Sequence, residues 1–201
     1  MTTPILYNGE PSTIQVLGLD LSLNGTGVCR PDGTTYRIKQ TTADGDRRLV
    51  TIRDHIRRDI ATYRPHLAVL EDLPMHANSA GLTAMVQGVV RAELADAGVP
   101  YATISPATLK CFACDHGKAG KQQMADAAYL AAGATFPGDL NARGDGGDMC
   151  DAWWLRAAGH DWFGIPLFSL PEAQRQRLRT AKWPPRLRVE PLSGRAAEVA
   201  R

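Results

Sequence analysis

The chain opens with short apolar segments separated by turn residues. Residues 14–21 are apolar almost throughout, which is the pattern of a buried strand. Asn24-Gly25 and Asp32-Gly33 are tight-turn pairs, and a short segment follows each of them, at 27–29 and at 34–39. This pattern predicts an opening meander of three antiparallel strands.

From residue 46 onwards, helical spacing alternates with further short apolar runs. Residues 46–63 carry Leu49, Ile52, Ile56 and Ile60 three and four positions apart, as in an amphipathic helix. The other predicted elements are strand 67–71, helix 79–97, strand 101–104, a short helix after Ser105-Pro106, and helices 121–132 and 148–159. Strands that alternate with helices after a meander indicate an α/β domain with a five-stranded mixed sheet flanked by helices.

The length of 201 residues and the apolar content of 44% suit one domain with a proper core. We expect a leader at 1–13, the domain at 14–163, and a basic, Pro- and Arg-rich C-terminal extension at 164–201 with a short helix at 172–182. No stretch approaches the ~20 apolar residues of a membrane span. The first residues lack the regions of a signal peptide, so a cytoplasmic location is expected.

The charge is distributed unevenly along the chain. The net charge is +2, but residues 171–201 hold eight Lys or Arg and three Glu, a net of +5. The rest holds 15 basic and 18 acidic residues, a net of −3. An acidic body with a basic tail suits a metal-dependent enzyme that meets a polyanion, although simple solvation of charge also accounts for the tail.

The cysteines are Cys29, Cys111, Cys114 and Cys150. A chain of this length with a normal core does not need disulfides, so reduced thiols are expected. Cys111 and Cys114 form a lone C-x-x-C, with His116 close by and no second pair at zinc-ribbon spacing. This favours packing of both thiols on a short helix over a structural zinc site.

Acidic residues end two predicted strands and open the last helix. Asp20 follows Val16-Leu17-Gly18-Leu19, Glu71 ends strand 67–71, and Asp148 and Asp151 lie three residues apart on one helix face. Acids at the ends of buried strands are costly unless they are compensated. Clustered carboxylates hold Mg²⁺ or Mn²⁺, and a pair of such ions can cut a phosphodiester. The sequence therefore predicts a two-metal nuclease site.

Each acid also has a structural interpretation. Asp20 could hold the turn at residues 22–24, Glu71 could pair with an arginine of helix 46–63, and Asp148 could cap its helix, with Asp151 favouring the helix dipole. Asp145 has the same spacing to Asp148, but two glycines follow it, so we expect it in a loop or cap. Asp72 should point away from Glu71. The ordered set of four favours metal binding.

Lysines surround the loop after strand 101–104. Lys110, Lys118 and Lys121 lie on or beside residues 115–120, where a lysine can hold a phosphate oxygen or the charge that develops in the transition state. Surface lysines on a loop are the alternative interpretation, and for Lys118 the two are evenly balanced.

Five stretches together resemble RuvC-type Holliday junction resolvases of the ribonuclease H-like superfamily. They are GLDLSLNGTGV (18–28), AVLEDLPMHANSAGL (68–82), QGVVRAELADAGVPYATISPATLK (87–110), GKAGKQQM (117–124) and GDMCDAWWL (147–155). They occur in the family's order within residues 14–160. A single G-x-D match would be weak, because actin-like ATPases open similarly.

The resemblance implies a ribonuclease H-like fold and a homodimer that nicks two opposed strands of a four-way DNA junction. Each nick would leave 5′-phosphate and 3′-hydroxyl ends, with two Mg²⁺ (or Mn²⁺) ions per site and no small-molecule cofactor. It implies that Asp20, Glu71, Asp148 and Asp151 are catalytic metal ligands. It also implies that Lys110 and Lys121 are basic residues near the scissile phosphate.

The chain departs from bacterial members after Glu71. They often carry a wedging aromatic residue there, whereas this chain has Leu73-Pro74-Met75, so Leu73 or Met75 is the candidate DNA contact. This difference and the extension resemble phage-type variants with broader branched substrates. The alternatives are a nuclease for RNA–DNA hybrid, a junction-binding protein without catalysis, and an actin-like ATPase fragment, which the length disfavours.

Overall fold

The computed structural model describes residues 14–73, 80–138, 140 and 145–185. The predicted leader, Met75 and the end of the extension lie outside these residues. Five strands form one sheet: β1 (Val16–Asp20), β2 (Gly25–Cys29), β3 (Thr35–Lys39), β4 (Leu67–Glu71) and β5 (Tyr101–Ile104). The helices are α1 (Arg47–Tyr63), α2 (Ala80–Asp96), α3 (Pro106–Cys114), α4 (Lys121–Ala132), α5 (Asp145–Trp162) and α6 (Glu172–Gln176).

The sheet has the strand order β3-β2-β1-β4-β5. The first three strands are antiparallel neighbours, whereas β1, β4 and β5 run parallel. The predicted opening meander and the five-stranded mixed sheet are therefore confirmed. The parallel strands β1 and β4 end at the same edge, and this edge carries the two strand-terminal acids.

The sheet separates two hydrophobic cores. On one side, Leu17, Leu19 and Leu70 pack against α1 and α2. On the other side, Val16 and Val69 pack against α3, α4 and α5. Strands buried on both faces lack the alternation of half-exposed strands, which explains the continuous apolar runs in β1 and β4. No helix in the described ranges has the length and apolarity that a membrane crossing requires.

Helix α5 begins three residues earlier than predicted. It includes Asp145, Gly146 and Gly147, so the expectation of a loop or cap at Asp145 is wrong. The carboxylate of Asp145 lies in the first helical turn, where it is favourable for the helix dipole and forms an ion pair with Arg37. Both glycines are buried. Tertiary contacts thus extend the helix through two residues of low helical propensity.

The first part of the extension packs on the domain. Phe168 stacks on Trp153 with 5.1 Å between the ring centroids, and Leu178 is buried. The helix predicted at 172–182 is α6 followed by a 3₁₀ turn, Arg177–Thr180. Lys182 then forms a single antiparallel bridge to Thr103 in β5. Residues 164–183 therefore cover the core beside α3 and the edge strand.

Candidate active site

Asp20 and Glu71 meet at the edge of the sheet where β1 and β4 end. Leu19 is paired with Leu70, so the next residue on each strand carries its carboxyl group to the same place. After burial, the charge of Glu71 is the largest cause that raises the pKa of Asp20. Two like charges at one site favour a proton on one of the groups. The first pair of predicted ligands is thus brought together.

The α5 helix brings the second pair of acids to this edge. It packs directly on β1 and β2, where Gly18 and Gly27 face its backbone. A methyl group at Gly18 would overlap the carbonyl oxygen of Ala152, and one at Gly27 would overlap that of Asp148. The absence of side chains at these two positions therefore allows the close approach that places Asp148 and Asp151 over the strand ends.

Lys121, the first residue of α4, bridges the two acids of α5. Its Nζ lies 2.7 Å from Asp151 Oδ2 and 3.4 Å from Asp148 Oδ1. The neighbouring carboxylates raise the pKa of the Lys121 ammonium, against the opposing effect of burial. This lysine is therefore a fixed positive charge inside the acidic cluster, at one of the positions predicted from sequence.

Arg37 holds the α5 acids from the side of β3 and was not predicted from sequence. Its Nε lies 2.7 Å from Asp148 Oδ2, and its guanidinium also forms the ion pair with Asp145. Lys39, two residues along the strand, lies 3.6 Å from Asp145. The only sequence signal is that Arg37 and Lys39 share one face of a strand. Solvated charge would give the same pattern.

Burial and mutual repulsion shift the proton affinity of the cluster. Burial first, then the charges of Glu71 and Asp151, raise the pKa of Asp20 well above its ordinary value. Burial and the charge of Asp151 raise the pKa of Glu71 to about 7. Burial also raises the pKa of Asp151, although Lys121 opposes the rise. The edge of the sheet thus holds more negative charge than its lysine neutralises.

The donor chemistry fits divalent metal ions, but the described side chains are not closed around one. Carboxylate oxygens are the preferred ligands of Mg²⁺, and excess negative charge favours a cation. Within the described ranges, however, no three Asp, Glu, His or Cys side chains are arranged to hold a metal ion. The four acids instead form two pairs, one at the ends of β1 and β4 and one bridged by Lys121. Metal binding at this site stays a prediction.

The other predicted residues lie at different depths around the cluster. Lys110 on α3 is half-buried, and its charge is a minor influence that opposes the rise that burial causes in the pKa of Glu71 and Asp151. Lys118 is exposed in the turn between α3 and α4. Leu73 is half-buried just after β4, and Met75 lies outside the described residues. The structure thus brings Lys110 and Lys121 to the acids and leaves Lys118 on the surface.

The structural alternatives for Asp20 and Glu71 are met by other residues, whereas Asp148 lies in the first turn of α5, where its charge favours the helix dipole. The turn after β1 is held by Ser22, whose hydroxyl accepts a hydrogen bond from the Gly25 amide at 3.1 Å. On α1, Arg57 pairs with Glu93 at 2.6 Å. Asp72, the residue after Glu71, pairs with Lys182 at 2.8 Å. None of these contacts involves Asp20 or Glu71.

The C-x-x-C pair lies on α3, where both thiols are half-buried. The Cys114 thiol lies 3.7 Å from the Met124 sulfur. This packing against α4 agrees with the interpretation of the pair as part of a short helix.

Comparisons with known proteins identify two curated relatives and a set of similar structures. The crossover junction endodeoxyribonuclease RuvC of Burkholderia thailandensis is 30% identical over 150 residues, which cover 69% of this chain and 83% of the relative. The RuvC of Chloroflexus aggregans is 30% identical over 136 residues, covering 62% of this chain and 83% of the relative. No family model matches the chain.

The structural comparisons agree on the fold. A structure of Thermus thermophilus RuvC in complex with a Holliday junction substrate has a TM-score of 0.61 and 19% identity, covering 76% of this chain and 98% of the other. A second Thermus thermophilus RuvC structure has a TM-score of 0.57 and 20% identity over the same shares of the two chains. These two structural similarities, at 19% and 20% sequence identity, establish the ribonuclease H-like fold of this chain.

Proposed function

The chain belongs to the RuvC family of crossover junction endodeoxyribonucleases, and from that premise we propose that it resolves four-way DNA junctions by paired, metal-dependent nicks. The observation that carries this proposal is the convergence of Asp20, Glu71, Asp148 and Asp151 beside Lys121 at one edge of the sheet. The curated relatives are named for the same activity. The expected products have 5′-phosphate and 3′-hydroxyl ends.

The four carboxylates would hold two Mg²⁺ ions, or Mn²⁺, which supply an activated water and stabilise the leaving oxygen when bound. Proton loss from Asp20 and Glu71 prepares these side chains to act as ligands, because only the ionised carboxylate binds a metal strongly. Lys121 must then exchange its contact with Asp151 for one with phosphate. Lys110, held on α3, offers a second positive charge to a non-bridging phosphate oxygen.

A homodimer is the assembly that suits two opposed nicks, since a two-fold enzyme matches a two-fold substrate. The outer face of α2 supports this part of the proposal. Leu82 and Met85 are exposed there by 49% and 42%, while Val86 and Val90 on the same helix face the core. These two neighbouring apolar side chains offer a contact site for a second subunit.

We further propose that the enzyme acts in the cytoplasm of a bacterial or phage-infected cell on branched DNA. Leu73 or Met75 stands where bacterial members often carry an aromatic wedge, and Leu73 is half-buried just after β4, so we expect base unstacking to be weaker here. This favours tolerance of forks and flaps beside four-way junctions. No small-molecule cofactor is required by the proposed chemistry.

The test compares a synthetic four-way junction, a fork, linear duplex and RNA–DNA hybrid, each with Mg²⁺ and with chelator. Symmetric nicks in the junction that depend on Mg²⁺ are expected, with weaker cutting of the fork and none of the linear duplex or the RNA–DNA hybrid. Asp20→Asn should lower cleavage by at least about 100-fold while junction binding persists, because one metal ligand is lost without a change of shape. Asp96→Asn, on exposed α2, is the matched control and should cut normally. Junction binding without cleavage by the unmutated protein would instead indicate a non-catalytic binder.

A further inference from the structure

The C-terminal extension is held in a fixed position beside α3. Trp183 donates its indole N–H to the Leu178 carbonyl at 2.8 Å, and its ring stacks on Trp162 with 4.7 Å between centroids and an angle of 2° between the planes. Leu178 itself is buried in the core. Residues 177–183 are therefore a rigid part of the surface.

Two further contacts fix this segment relative to the acidic edge. Lys182 and Thr103 exchange backbone hydrogen bonds of 3.0 and 3.1 Å, which extends the sheet beyond β5. The hydroxyl groups of Thr180 and Thr108 lie 3.3 Å apart. Thr103 directly precedes Ile104, which is paired with Glu71 in the sheet register. The bridge at Lys182 therefore lies at the same end of the sheet as the acids.

The cations of the segment neutralise acids of the nuclease body. Arg177 lies 3.4 Å from Asp115, and Lys182 lies 2.8 Å from Asp72, the residue next to Glu71. Arg179 is exposed and forms no ion pair with the described residues. Side chains of Arg177 and Lys182 remain 53% and 78% exposed, so both can still reach a ligand in solvent.

We propose that Arg177, Arg179 and Lys182, here called the basic strip, form a binding surface for the phosphate backbone of one arm of the branched DNA. This inference rests on the proposed function, because it assumes that DNA reaches the neighbouring acidic edge. The strip neutralises Asp72 and Asp115, which would otherwise repel phosphates next to the site. Arg179 and the exposed ends of Arg177 and Lys182 are then available to bind the phosphate backbone of DNA. Such contacts do not depend on the DNA sequence.

The strip is already ordered without DNA, so binding does not require the segment to fold. Each phosphate that a cation contacts releases condensed counterions, and affinity therefore falls with salt by a slope near 0.9 per contact in duplex DNA. The number of cations in the strip that contact a phosphate can therefore be measured from the salt dependence of binding.

The experiment measures the Kd of an uncut four-way junction between 50 and 300 mM salt, with chelator, in full-length protein carrying Asp20→Asn. The test variant adds Arg177→Gln, Arg179→Gln and Lys182→Gln. One control keeps the charges, with Arg177→Lys, Arg179→Lys and Lys182→Arg. A second control removes three arginines of α1 on the opposite side of the sheet, with Arg47→Gln, Arg53→Gln and Arg58→Gln.

We expect the test variant to bind at least roughly 10-fold more weakly at 0.1 M salt, with a salt slope reduced by about 1 to 3. Both controls should change Kd less than about twofold. Asp115→Asn should tighten binding, since it frees Arg177 from its ion pair, and asparagine suits the left-handed backbone of that position. Melting curves establish that each variant is folded.

If the test variant and its parent had the same Kd and the same salt dependence of binding, the proposal that the basic strip binds DNA would be wrong. An equal loss in the charge-preserving control would lead to the same conclusion, because the effect would then not come from charge. The proposed function fails by a different result, namely no binding or cleavage of any branched DNA by the unmutated chain.

Discussion

Arg37 Nε on β3 lies 2.7 Å from Asp148 Oδ2 on α5, so a strand without any acid of the cluster fixes the position of one of its carboxylates. The opposite oxygen of Asp148 faces Lys121 at 3.4 Å. The carboxylate is thus held between two cations from different elements. We infer that Arg37 positions Asp148 and does not itself contact the reacting atoms.

Replacement of Arg37 should weaken metal use more than DNA binding. In Arg37→Met the Asp148 carboxylate loses one partner, so we expect the Mg²⁺ concentration for half-maximal cleavage to rise about 10-fold or more. Arg37→Lys should recover part of the loss. Lys39→Met is the control, because Lys39 is mostly exposed and contacts only Asp145. A fall in rate with an unchanged Mg²⁺ dependence would argue against the positioning role.

Lys121 has two expected roles, and they can be separated. Without metal, Lys121→Met leaves Asp151 without its cation and Asp148 with Arg37 alone, so the melting temperature of the metal-free protein should fall at pH 8. Saturating Mg²⁺ should restore most of this stability but not the rate, because the ammonium that would contact phosphate is gone. Lys118→Met, on the exposed turn, should change neither property. Restored cleavage in Lys121→Met with Mg²⁺ would contradict the role in catalysis.

The sheet was predictable because each strand carries its own signal. The apolar runs at 14–21 and 67–71 are buried on both faces, and turn residues bound them. The parallel pairing of β1 with β4 is different, since β2, β3 and α1 separate these strands along the chain. From the sequence, a shared edge for Asp20 and Glu71 could be predicted only on the condition that the two strands are neighbours.

The start of α5 and the role of Arg37 could not be predicted, because both depend on contacts across the fold. Gly146-Gly147 reads as a loop by local propensity. In the structure, a Cβ at Gly147 would lie 2.8 Å from Lys121 Cδ, so a side chain there would displace the lysine that bridges the acids. The extension was predicted as a basic tail, but its docking through Leu178 and Trp183 has no local signature.

The close approach of α5 to the sheet gives a stability prediction. Gly18→Ala and Gly27→Ala each place a methyl group against helix backbone, which cannot move aside as a side chain can. We expect each variant to lose about 1 to 3 kcal/mol of unfolding free energy in urea titrations, with cleavage reduced as the acids are displaced. Gly81→Ala on α2, where the added carbon meets nothing within 4 Å, should be neutral or slightly stabilising. Normal stability in both strand variants would refute the tight packing.

The raised pKa values of the acidic edge predict how the metal-free protein responds to pH. Burial and the charge of Asp151 raise the pKa of Glu71 to about 7, and the pKa of Asp20 is also raised. The folded protein therefore holds protons that the unfolded chain has already lost. The stability that these protons contribute is fully present below the pKa of the carboxyl groups in the unfolded chain, and it is lost as pH rises through about 7.

We expect the melting temperature in chelator to fall by roughly 5 °C between pH 6.5 and 8.5. Most of the contribution of His160, whose pKa burial lowers to about 4, falls below this window and has the opposite sign. Glu71→Gln should flatten the curve, because the amide has no proton to lose, whereas Glu172→Gln on exposed α6 should leave it unchanged. Mg²⁺ should stabilise the protein more at pH 8.5 than at pH 6.5, since the ion competes with protons for the same oxygens. A metal-free curve that rises across this window would contradict the excess negative charge at the edge of the sheet.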